Sequence, residues 1–515
     1  MTLDERFDSG PAWSSLKIPA DGAEGTTAPA RHLGRIHLVG IGGIGMSGIA
    51  EVLLTLGYTI SGSDLSDNDT TRHLRELGAE IWLGHDASHI GSDINVVVIS
   101  SAVSDDNPEV RAAREHRVPV IPRAEMLAEL MRVKCTVGVA GAHGKTTTTS
   151  LVAAVLSAGG LDPTLVIGGR LKSLGGTNAR LGRSRYMVVE ADESDGSFLL
   201  LRPTLAVVTN IDREHMNFYG DMEVLRTSYL AYINAVPFYG KAVLCLDCPE
   251  IRALLPKVRK PHLTYGTSPE ADLRATGIQY HGLSSSFDVT FKGAPLGRVN
   301  VAMPGEHAVR NALAALVVGM DFGLDFQSCA AALAGFEGVM RRFEIKGEAA
   351  GVTVVDDYGH HPTEVCATLR AARLGYPDRR IVAVFQPHRF SRLADLFDLF
   401  AECFEDADAV VLTDVYAAGE SPIEGYDGRR LAEAAGRIHP GEVVFEGAGA
   451  DLALRVAARI RPGDLVLTLG AGDVTKLGPL ILQELQALQQ AQTAPAASRS
   501  GDAAAARPKE HQPGA

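Results

Sequence analysis

Several features that would indicate a secreted or membrane protein are missing from this sequence. No uninterrupted apolar stretch approaches the length that crosses a bilayer, and the first eight residues lack the basic region and apolar run of a secretory signal. The six cysteines are too thinly spread over 515 residues to form a secreted disulfide framework. These absences predict a cytoplasmic protein without membrane insertion.

An excess of basic residues is missing as well. The chain has 49 Lys and Arg against 62 Asp and Glu, which gives a formal net charge of -13. A protein that binds nucleic-acid backbones usually carries a broad positive surface, so no nucleic-acid partner is expected. Local basic pockets remain compatible with this balance.

What the sequence does contain is a repeated α/β rhythm. Short β-branched runs end in Gly-rich turns and lead into helix-like segments, which is typical of parallel α/β sheets. The strand-like runs lie at 36–39, 58–61, 95–99, 136–140, 186–189, 205–209, 351–355, 381–385, 409–413 and 464–469. At about 150 residues per domain, a chain of this length is expected to form roughly three domains.

The fold prediction is therefore three tandem α/β domains. We expect a Rossmann-like N-terminal domain, a central P-loop ATPase domain with a mainly parallel sheet, and a Rossmann-like C-terminal domain. Their predicted ranges are 34–132, 133–338 and 339–488. The segments 1–33 and 489–515 are rich in small and polar residues without periodicity, so we expect them to be disordered.

A glycine-rich turn, Gly-Ile-Gly-Gly-Ile-Gly at 40–45, follows the first strand run. Glycine lets the backbone approach a diphosphate, whose charge then lies at the N-terminus of the next helix. The second strand run leads to Asp64, placed where a Rossmann unit binds a ribose hydroxyl. Alone, the pattern indicates NAD, but UDP offers the same diphosphate and ribose, and a purely structural turn also fits.

A second glycine-rich segment lies at 141–147, between an apolar strand run and a helix-like segment. Its backbone N–H groups are expected to hold phosphate oxygens, while Lys145 neutralises charge and Thr146 offers a hydroxyl to Mg²⁺. The strict phosphate-loop spacing would put glycine where this chain has Val139. The shorter core still predicts ATP binding, by Gly141, Ala142, His143, Gly144, Lys145, Thr146 and Thr147.

Acidic residues follow the strand runs at 186–189 and 205–209. Carboxylates at the carboxyl ends of parallel strands, on the same edge as a phosphate loop, suit Mg²⁺. This placement predicts a metal role for Glu190 and His215 together with Thr146. The acids at 192, 193 and 195 are equally compatible with a solvated turn.

Two segments of the third domain repeat the strand–turn–helix layout. In the first, at 354–364, Pro362 stands where a helix begins, which favours an anion-accepting helix start. The second, at 383–392, carries Arg389 and Arg392, whose planar guanidinium groups suit a carboxylate or phosphate. A surface salt-bridge role is the alternative for each arginine.

Together, in this order, the motifs resemble those of the Mur ligases of peptidoglycan synthesis. The resemblance runs from about His37 to Asp473 and includes Pro-Gly-Glu-His at 304–307 and Arg-Arg-Phe-Glu at 341–344. It implies a UDP-sugar domain, a central ATPase domain and a C-terminal amino-acid domain. The implied activity is the ATP- and Mg²⁺-dependent ligation of L-alanine to the lactyl carboxylate of UDP-N-acetylmuramate.

The resemblance also implies residue roles. The UDP-sugar would contact Gly42, Gly43, Ile44, Gly45, Ser63, Asp64, Ser100, Ser101 and Thr177. ATP would also contact His307, Asn311 and Arg342. L-Alanine would meet Tyr358, His388, Arg389 and Arg392. The catalytic residues would be Lys145, Glu190 and His215.

Four positions depart from the family pattern. Ala142 stands where threonine is usual, and Ala308 replaces the first asparagine of the usual His-Asn-x-x-Asn motif. Glu214 and Asn217 replace the aspartates of Asp-His-Met-Asp, so only His215 carries over. Some relatives use a carbamylated lysine, but the stretch 221–232 contains no lysine, and we do not predict that modification.

Three other functions fit parts of the sequence. A murein-peptide ligase, which joins a tripeptide to the same sugar nucleotide, shares much of the resemblance. An NAD-dependent oxidoreductase built on 40–45 leaves Lys145 unexplained, and a non-catalytic ATP-binding switch leaves the polar strand ends of the third domain unexplained. We expect a monomer or a weak homodimer.

Overall fold

The computed structural model describes residues 34–100, 102–132, 134–168 and 179–493. The predicted disordered extension at 1–33 therefore lies outside the described residues. The chain divides into two compact units. The first consists of Met1–Glu344, Asp357–Arg379 and Cys403–Asp406, and the second of Ile345–Asp356, Arg380–Glu402 and Ala407–Ala515. The described strands form three sheets, two in the first unit and one in the second.

The first sheet has five parallel strands in the order β3-β2-β1-β4-β5. The strands are β1 (Arg35–Val39), β2 (Thr59–Asp64), β3 (Glu80–Leu83), β4 (Ile94–Ile99) and β5 (Val120–Pro122). The helices are α1 (Ile44–Thr55), α2 (Asp69–Glu76), α3 (Pro108–Glu115) and α4 (Arg123–Met131). The chain reverses its direction of travel across the sheet after β3, so the switch point lies at β1, where such sheets bind ligands. The Rossmann-like prediction for this part of the chain is confirmed.

The second sheet has ten strands in the order β15-β14-β13-β12-β11-β10-β6-β9-β7-β8. The strands are β6 (Cys135–Ala140), β7 (Thr164–Val166), β8 (Ala179–Arg180), β9 (Tyr186–Glu190), β10 (Leu205–Val208), β11 (Lys241–Cys245), β12 (His262–Gly266), β13 (Leu273–His281), β14 (Ser284–Phe291) and β15 (Ala294–Val301). The central strands are parallel, whereas β14, β15 and β8 run antiparallel to their neighbours. This confirms the mainly parallel sheet predicted for the ATPase domain.

The helices of this part of the first unit are α5 (Lys145–Ala158), α6 (Met216–Tyr219), α7 (Met222–Asn234), α8 (Pro249–Leu254), α9 (Glu306–Asp321), α10 (Phe326–Ala334) and α11 (Pro362–Gly375). α5 and α9 pack closely, because a Cβ at Gly319 would lie only 2.6 Å from Val155 Cγ1. α11 belongs to the first unit, although the predicted domain boundary at 339 assigns it to the C-terminal domain.

The sheet of the second unit has six strands in the order β16-β17-β21-β18-β19-β20. The strands are β16 (Glu344–Ala349), β17 (Val352–Asp357), β18 (Ile381–Phe385), β19 (Ala409–Leu412), β20 (Glu442–Phe445) and β21 (Leu465–Leu469). The helices are α12 (Phe390–Asp395), α13 (Phe397–Glu402), α14 (Gly428–Ile438), α15 (Leu452–Ala457) and α16 (Leu477–Thr493). β18 is parallel to both neighbours and buried at every residue, as expected for a strand covered on both faces. α16 continues through 489–493, where the predicted tail begins.

Helix starts in the first unit fall into two classes. α2, α3 and α7 are capped by the side chains of Asn68, Asn107 and Asp221. α1 and α5, like α4, α6, α8 and α9, have no side-chain cap at their N-cap residue, which is Gly43 in α1 and Gly144 in α5. Their first amides are therefore left for another acceptor, and both helices follow the glycine-rich segments singled out in the sequence.

Among the described residues, no helix has the length and apolar character needed to span a membrane.

Candidate active site

The phosphate loop joins the end of β6 to the start of α5. Gly141 and Gly144 have φ values of +139° and +79°, which L side chains rarely adopt. A Cβ at Gly141 would collide with the Thr209 hydroxyl, and one at Gly144 would lie 2.9 Å from Asn311 Oδ1. The loop therefore needs glycine at both positions, and its uncapped helix start suits an anion such as phosphate.

The Lys145 ammonium is held by three oxygens beside this helix start. Its Nζ donates to the carbonyls of Gly141 at 2.7 Å and Ala142 at 3.2 Å, and lies 2.8 Å from Glu193 Oε1. Burial by itself lowers the pKa of Lys145, but attraction to Glu193 and neighbouring carboxylates outweighs burial and raises the pKa. Lys145 is therefore a fixed positive charge at the loop.

Thr146 and Glu190, two of the three predicted metal ligands, contact each other. The Thr146 hydroxyl donates to Glu190 Oε1 at 3.0 Å, and the backbone N–H of Gly168 donates to Glu190 Oε2 at 2.7 Å. Burial raises the pKa of Glu190, whereas attraction to Lys145 lowers it and offsets only part of that effect. A cation would remove the cost of burying this carboxylate, and oxygen donors of this kind are those that Mg²⁺ prefers.

The third predicted ligand, His215, lies with two other carboxylates. Its Nε2 is 3.6 Å from Glu193 Oε1 and 3.9 Å from Glu214 Oε1, and the three ligand atoms lie within 4.8 Å of one another. His215 has a φ of 58° at the start of α6. Glu193 links this group to the Lys145 ammonium, so the donors present here also fit a divalent cation.

A cavity of about 510 Å³ opens beside the phosphate loop. His143, Gly144 and Thr147 of the phosphate loop line one part of it, and the rest is lined by a mixture of polar, charged and apolar side chains. The polar and charged group includes His307, Asn311, Arg310, Arg342 and the carboxylates Asp212, Asp247, Glu250, Asp357 and Glu364. The apolar and thiol-bearing group contains Ile211, Cys245, Cys248, Tyr265, Met303 and Pro304. Burial, assisted by Arg310 and Arg342, lowers the pKa of His307 to about 4, so this ring is neutral at pH 7. Of the residues predicted to contact ATP, the cavity is thus lined by His143, Gly144 and Thr147 of the loop, by His307 and Asn311 of α9, and by Arg342.

His143 of the phosphate loop is clamped between two carboxylates. Its Nε2 lies 2.8 Å from Asp212 Oδ2, and its Nδ1 lies 3.3 Å from Glu364 Oε1. Burial alone lowers the pKa of His143, but Asp212 and Glu364 outweigh burial and raise the pKa to about 10. Thr363 Oγ1 also donates to Asp212 Oδ2, at 2.7 Å. These contacts form an ion-pair network that links α11 to the phosphate loop.

His361 lies next to this network. Its ring stands 4.7 Å from that of His143, and its Nδ1 is 3.8 Å from Asp212 Oδ2. It also caps α11, since its Nδ1 accepts from Thr363 N at 3.3 Å. Burial, with the nearby charge of His143, lowers the pKa of His361. The neutral ring therefore serves as a helix cap beside the charged pair.

The glycine-rich turn of the first sheet is held by the end of β2. The backbone carbonyl of Ser63 accepts from the N–H groups of Gly40 and Ile41 at 2.8 and 3.0 Å. Asp64 Oδ2 accepts from Gly42 N at 2.9 Å, so this carboxylate faces the turn. The uncapped start of α1 follows directly and suits a diphosphate.

The other residues predicted for the sugar nucleotide are placed differently. Ser100 follows β4 on the same edge of the sheet as the glycine-rich turn. The Ser63 side chain is fully buried and donates to Glu109 at 2.6 Å. Ser101 and Thr177 lie outside the described residues.

The residues predicted for the amino acid are distributed over both units. In the first unit, the Tyr358 ring lies 4.9 and 5.1 Å from the guanidinium carbons of Arg341 and Arg342. In the second unit, the His388 ring stacks on Tyr416 with centroids 5.4 Å apart.

Arg389 and Arg392 flank the start of α12 in the second unit. Arg389 has a φ of 69° and immediately precedes the helix, whose Ser391 amide donates to Glu420 Oε2 at 2.9 Å. Arg392 Nη1 donates to the His388 carbonyl at 3.3 Å. The segment therefore places two guanidinium groups and an imidazole at the carboxyl end of β18.

Several acids and histidines that the sequence analysis did not assign lie among the predicted site residues. They are Glu193, Asp212, Glu214, His361 and Glu364. The first three belong to the acidic strand ends that the sequence already singled out. The sequence pattern does not indicate which of these acids are buried. Glu193 is only 1% exposed, so it is not part of a solvated turn.

Three family models match consecutive parts of the chain. The model of the Mur ligase family, catalytic domain, matches residues 35–134, and that of the Mur ligase middle domain matches 139–319. The model of the Mur ligase, glutamate ligase domain, matches residues 341–472.

Curated relatives and solved structures are similar over most of the chain. The UDP-N-acetylmuramate--L-alanine ligase of Geobacter sulfurreducens is 54% identical over 458 residues, which cover 89% of this chain and 99% of that protein. The crystal structure of UDP-N-acetylmuramate-alanine ligase from Thermotoga maritima has a TM-score of 0.72 at 29% identity, covering 89% of this chain and all of that one. A murein peptide ligase from Psychrobacter arcticus has a TM-score of 0.63 at 24% identity, covering 88% and 99%, which shows a shared fold.

Proposed function

The chain belongs to the Mur ligase family of ATP-dependent amide ligases, and from that premise we propose how its residues join L-alanine to the lactyl carboxylate of UDP-N-acetylmuramate. This ligation is the reaction named for its curated relatives at about 54% identity over nearly their whole length, and it belongs to peptidoglycan precursor synthesis. The observation that carries the residue-level proposal is the Lys145 ammonium at an uncapped helix start, in a loop whose residues His143, Gly144 and Thr147 line the cavity.

A carboxylate does not form an amide with an amine in water unless one of its oxygens becomes part of a good leaving group. In the proposed first step, an oxygen of the lactyl carboxylate attacks the γ-phosphorus of ATP. The bond from the γ-phosphorus to the bridging oxygen of the β-phosphate breaks, which releases ADP and forms an acyl phosphate. Two anions approach each other in this step, so positive charge at the site lowers the barrier.

Lys145 supplies that charge from the protein. Its ammonium is held beside the helix start by Glu193 and the loop carbonyls, and phosphate oxygens would take the place of one or more of these acceptors. The amides at the start of α5 add partial positive charge along the helix axis. Together they favour the extra negative charge that develops between the carboxylate and the γ-phosphate.

Mg²⁺ fits the neighbouring donors. Thr146 and Glu190 present a hydroxyl and a carboxylate 3.0 Å apart, and His215 with Glu193 and Glu214 forms a second group of donors. When bound, the ion supplies Lewis-acid neutralisation of the β- and γ-phosphate oxygens. Glu190 also holds the amide of Gly168, which fixes its orientation toward Thr146.

The residues that line the cavity support a proposed direction for ATP. We propose that the triphosphate lies along the phosphate loop and the adenine near His307 and Asn311, with Arg342 close to the bound nucleotide. The depressed pKa of His307, about 4, keeps the ring neutral, so it offers a hydrogen-bonding edge without charge. Ala308 is buried and is not among the residues that line the cavity, whereas Asn311, the second asparagine of the family motif, lines it.

In the proposed second step, the amine of L-alanine attacks the acyl carbon. The C–N bond forms, the bond from that carbon to the phosphate oxygen breaks, and the amine loses a proton as inorganic phosphate leaves. We propose that Arg389 and Arg392, with Tyr358 and His388, receive the amino acid, because planar guanidinium groups bind carboxylates in two places.

The UDP-sugar is proposed to bind the carboxyl edge of the first sheet. Its diphosphate would meet the start of α1 at Gly42, Gly43, Ile44 and Gly45, and its ribose would meet Asp64. Ser100, and Ser101 and Thr177 outside the described residues, complete the proposed contacts.

We further propose a cytoplasmic location and a monomer or weak homodimer. All six cysteines are free, and Cys366 is exposed, as suits a reducing compartment.

The decisive experiment measures ADP release with UDP-N-acetylmuramate, scanned across L-alanine, glycine, L-serine and one tripeptide. We expect release that depends on L-alanine and on the sugar nucleotide together. Preferential turnover of the tripeptide would instead identify a murein-peptide ligase. ADP release that needs no amino acid would contradict the ligase mechanism, and nicotinamide binding would support the oxidoreductase.

A further inference from the structure

A buried carboxylate lies beneath the glycine-rich turn of the first sheet. Glu109, in the first turn of α3, is fully buried, and its Oε2 accepts from Ser63 Oγ at 2.6 Å. Its Oε1 lies 2.6 Å from His89 Nδ1, and His85 Nδ1 is 3.2 Å from Oε2. His37 Nε2 completes the group at 3.6 Å from Oε1. One carboxylate thus gathers a hydroxyl and three imidazoles.

This cluster is packed and charged. The Trp82 ring stacks on His89 with centroids 4.7 Å apart, which closes one side. Burial alone raises the pKa of Glu109, but the nearby His37 ring and the hydrogen bonds with Ser63 and His89 outweigh burial and lower the pKa to about 2. Burying a charge is costly unless partners compensate, so a cluster of this kind serves either stability or the placement of a neighbouring element.

The cluster is connected directly to the glycine-rich turn. Ser63 donates its hydroxyl to Glu109, while its backbone carbonyl accepts from Gly40 and Ile41 at 2.8 and 3.0 Å. The next residue, Asp64, accepts from Gly42 through its carboxylate. Three successive amides of the turn are therefore held by the two residues that end β2, and the first of these two is held by Glu109.

We infer that Glu109 is a positioning residue for the UDP-sugar site, acting through Ser63 to fix the turn that receives the diphosphate. This inference rests on the proposed function, because it takes the sugar nucleotide as the ligand of the turn. It also changes the role expected for Ser63, whose buried hydroxyl acts beneath the turn and not against the substrate. A shift of about 1 Å in a binding group is enough to cost on the order of 100-fold.

The test compares UDP-N-acetylmuramate binding by calorimetry and steady-state kinetics for the wild-type protein and Glu109→Gln. The amide accepts fewer hydrogen bonds than the carboxylate and carries no charge. We expect Kd and KM for the sugar nucleotide to rise roughly 10- to 100-fold. KM for ATP and kcat at saturating substrates should stay unchanged. A merely structural role would lower the amount of active protein, and hence the apparent kcat, without raising KM.

Two serines provide a matched pair in case Glu109→Gln does not fold. Ser61 lies two residues before Ser63 on the same face of β2, is equally buried, and its Oγ is 3.0 Å from His37 Nδ1. Ser63→Ala should raise KM for the sugar nucleotide by about tenfold, whereas Ser61→Ala should lower only the unfolding temperature.

The outcomes separate the inference from the proposed function. If the wild-type protein binds UDP-N-acetylmuramate and both serine variants bind it as tightly as the wild type does, the positioning role of Glu109 is wrong and the proposed function stands. If the wild-type protein fails to bind UDP-N-acetylmuramate, the proposed function is overturned, and the inference falls with it.

Discussion

Lys145 and Glu193 form a partly buried ion pair, with the ammonium nitrogen 2.8 Å from a carboxylate oxygen and Glu193 only 1% exposed. The lysine predicted to neutralise phosphate charge therefore already has an anionic partner. Because the same carboxylate lies 3.6 Å from His215, it connects the phosphate loop to the second group of metal-type donors. Glu193 thus holds Lys145 in position and keeps it charged.

Removing this lysine should stop phosphoryl transfer. In Lys145→Ala we expect ADP release to fall by at least about 100-fold, because one preorganised charge at the reacting phosphate is lost. UDP-N-acetylmuramate binding, measured by calorimetry, should stay within error of the wild type. The matched control is Lys241→Ala, since Lys241 pairs with Asp321 at the start of β11, the opposite end of the strands from the phosphate loop. Normal ADP release by Lys145→Ala would refute the assignment.

The parallel strands and both glycine-rich turns could be predicted from the sequence. The predicted run at 381–385 coincides with β18, and the one at 36–39 differs from β1 by one residue. These strands are buried on both faces and read as continuous apolar runs before glycine. The hairpins of β13, β14 and β15 were not predicted. β13 alternates between buried and partly exposed residues, and its polar positions conceal the strand.

A site residue could be predicted where its chemical type and its position after a strand both indicate a role. It could not be predicted where its role depends on being buried against distant residues. Lys145, Thr146 and Glu190 follow from a strand–turn–helix pattern and a strand end. Glu364 and Glu109 stand in the first turns of helices, where acids are common for helix stability alone. Their partners, His143 and Ser63, are distant in sequence, and only tertiary packing brings them together.

Glu190 is expected to set the requirement for Mg²⁺. Its pKa is raised mainly by burial, and a bound cation would favour the ionised form. Glu190→Gln should increase the Mg²⁺ concentration that gives half-maximal ADP release by roughly 10- to 100-fold, in line with the loss of a ligand or its orienting partner. Chelation with EDTA should abolish release in the wild type. The control Glu129→Gln changes an exposed acid paired with Arg132 and should leave the Mg²⁺ requirement unaltered.

The clamp on His143 predicts a pH dependence of stability. Its folded pKa of about 10 is above the ordinary value of 6.5, so the stabilisation is complete below pH 6.5 and is lost as pH rises from 6.5 to 10. The difference in unfolding midpoint between the wild type and His143→Gln should therefore shrink between pH 6.5 and 10. Asp212→Asn removes the strongest partner and should flatten the wild-type dependence in the same range. An unchanged difference across this range would show that His143 is not held as a cation.

Alanine substitutions at two glycines can distinguish the effect of backbone strain from the effect of crowding the phosphate loop. Gly144 and Gly160 have φ values of +79° and +77°, so alanine at either position costs about 1–2 kcal/mol of stability. A Cβ at Gly160 meets nothing within 4 Å, whereas one at Gly144 would lie 2.9 Å from Asn311 Oδ1 inside the cavity. Both variants should lower the unfolding temperature, but only Gly144→Ala should raise KM for ATP, by more than about tenfold, because the loop and Asn311 must move apart. Equal ATP affinity in the two variants would mean that ATP does not bind at this loop and that the phosphate-loop assignment is wrong.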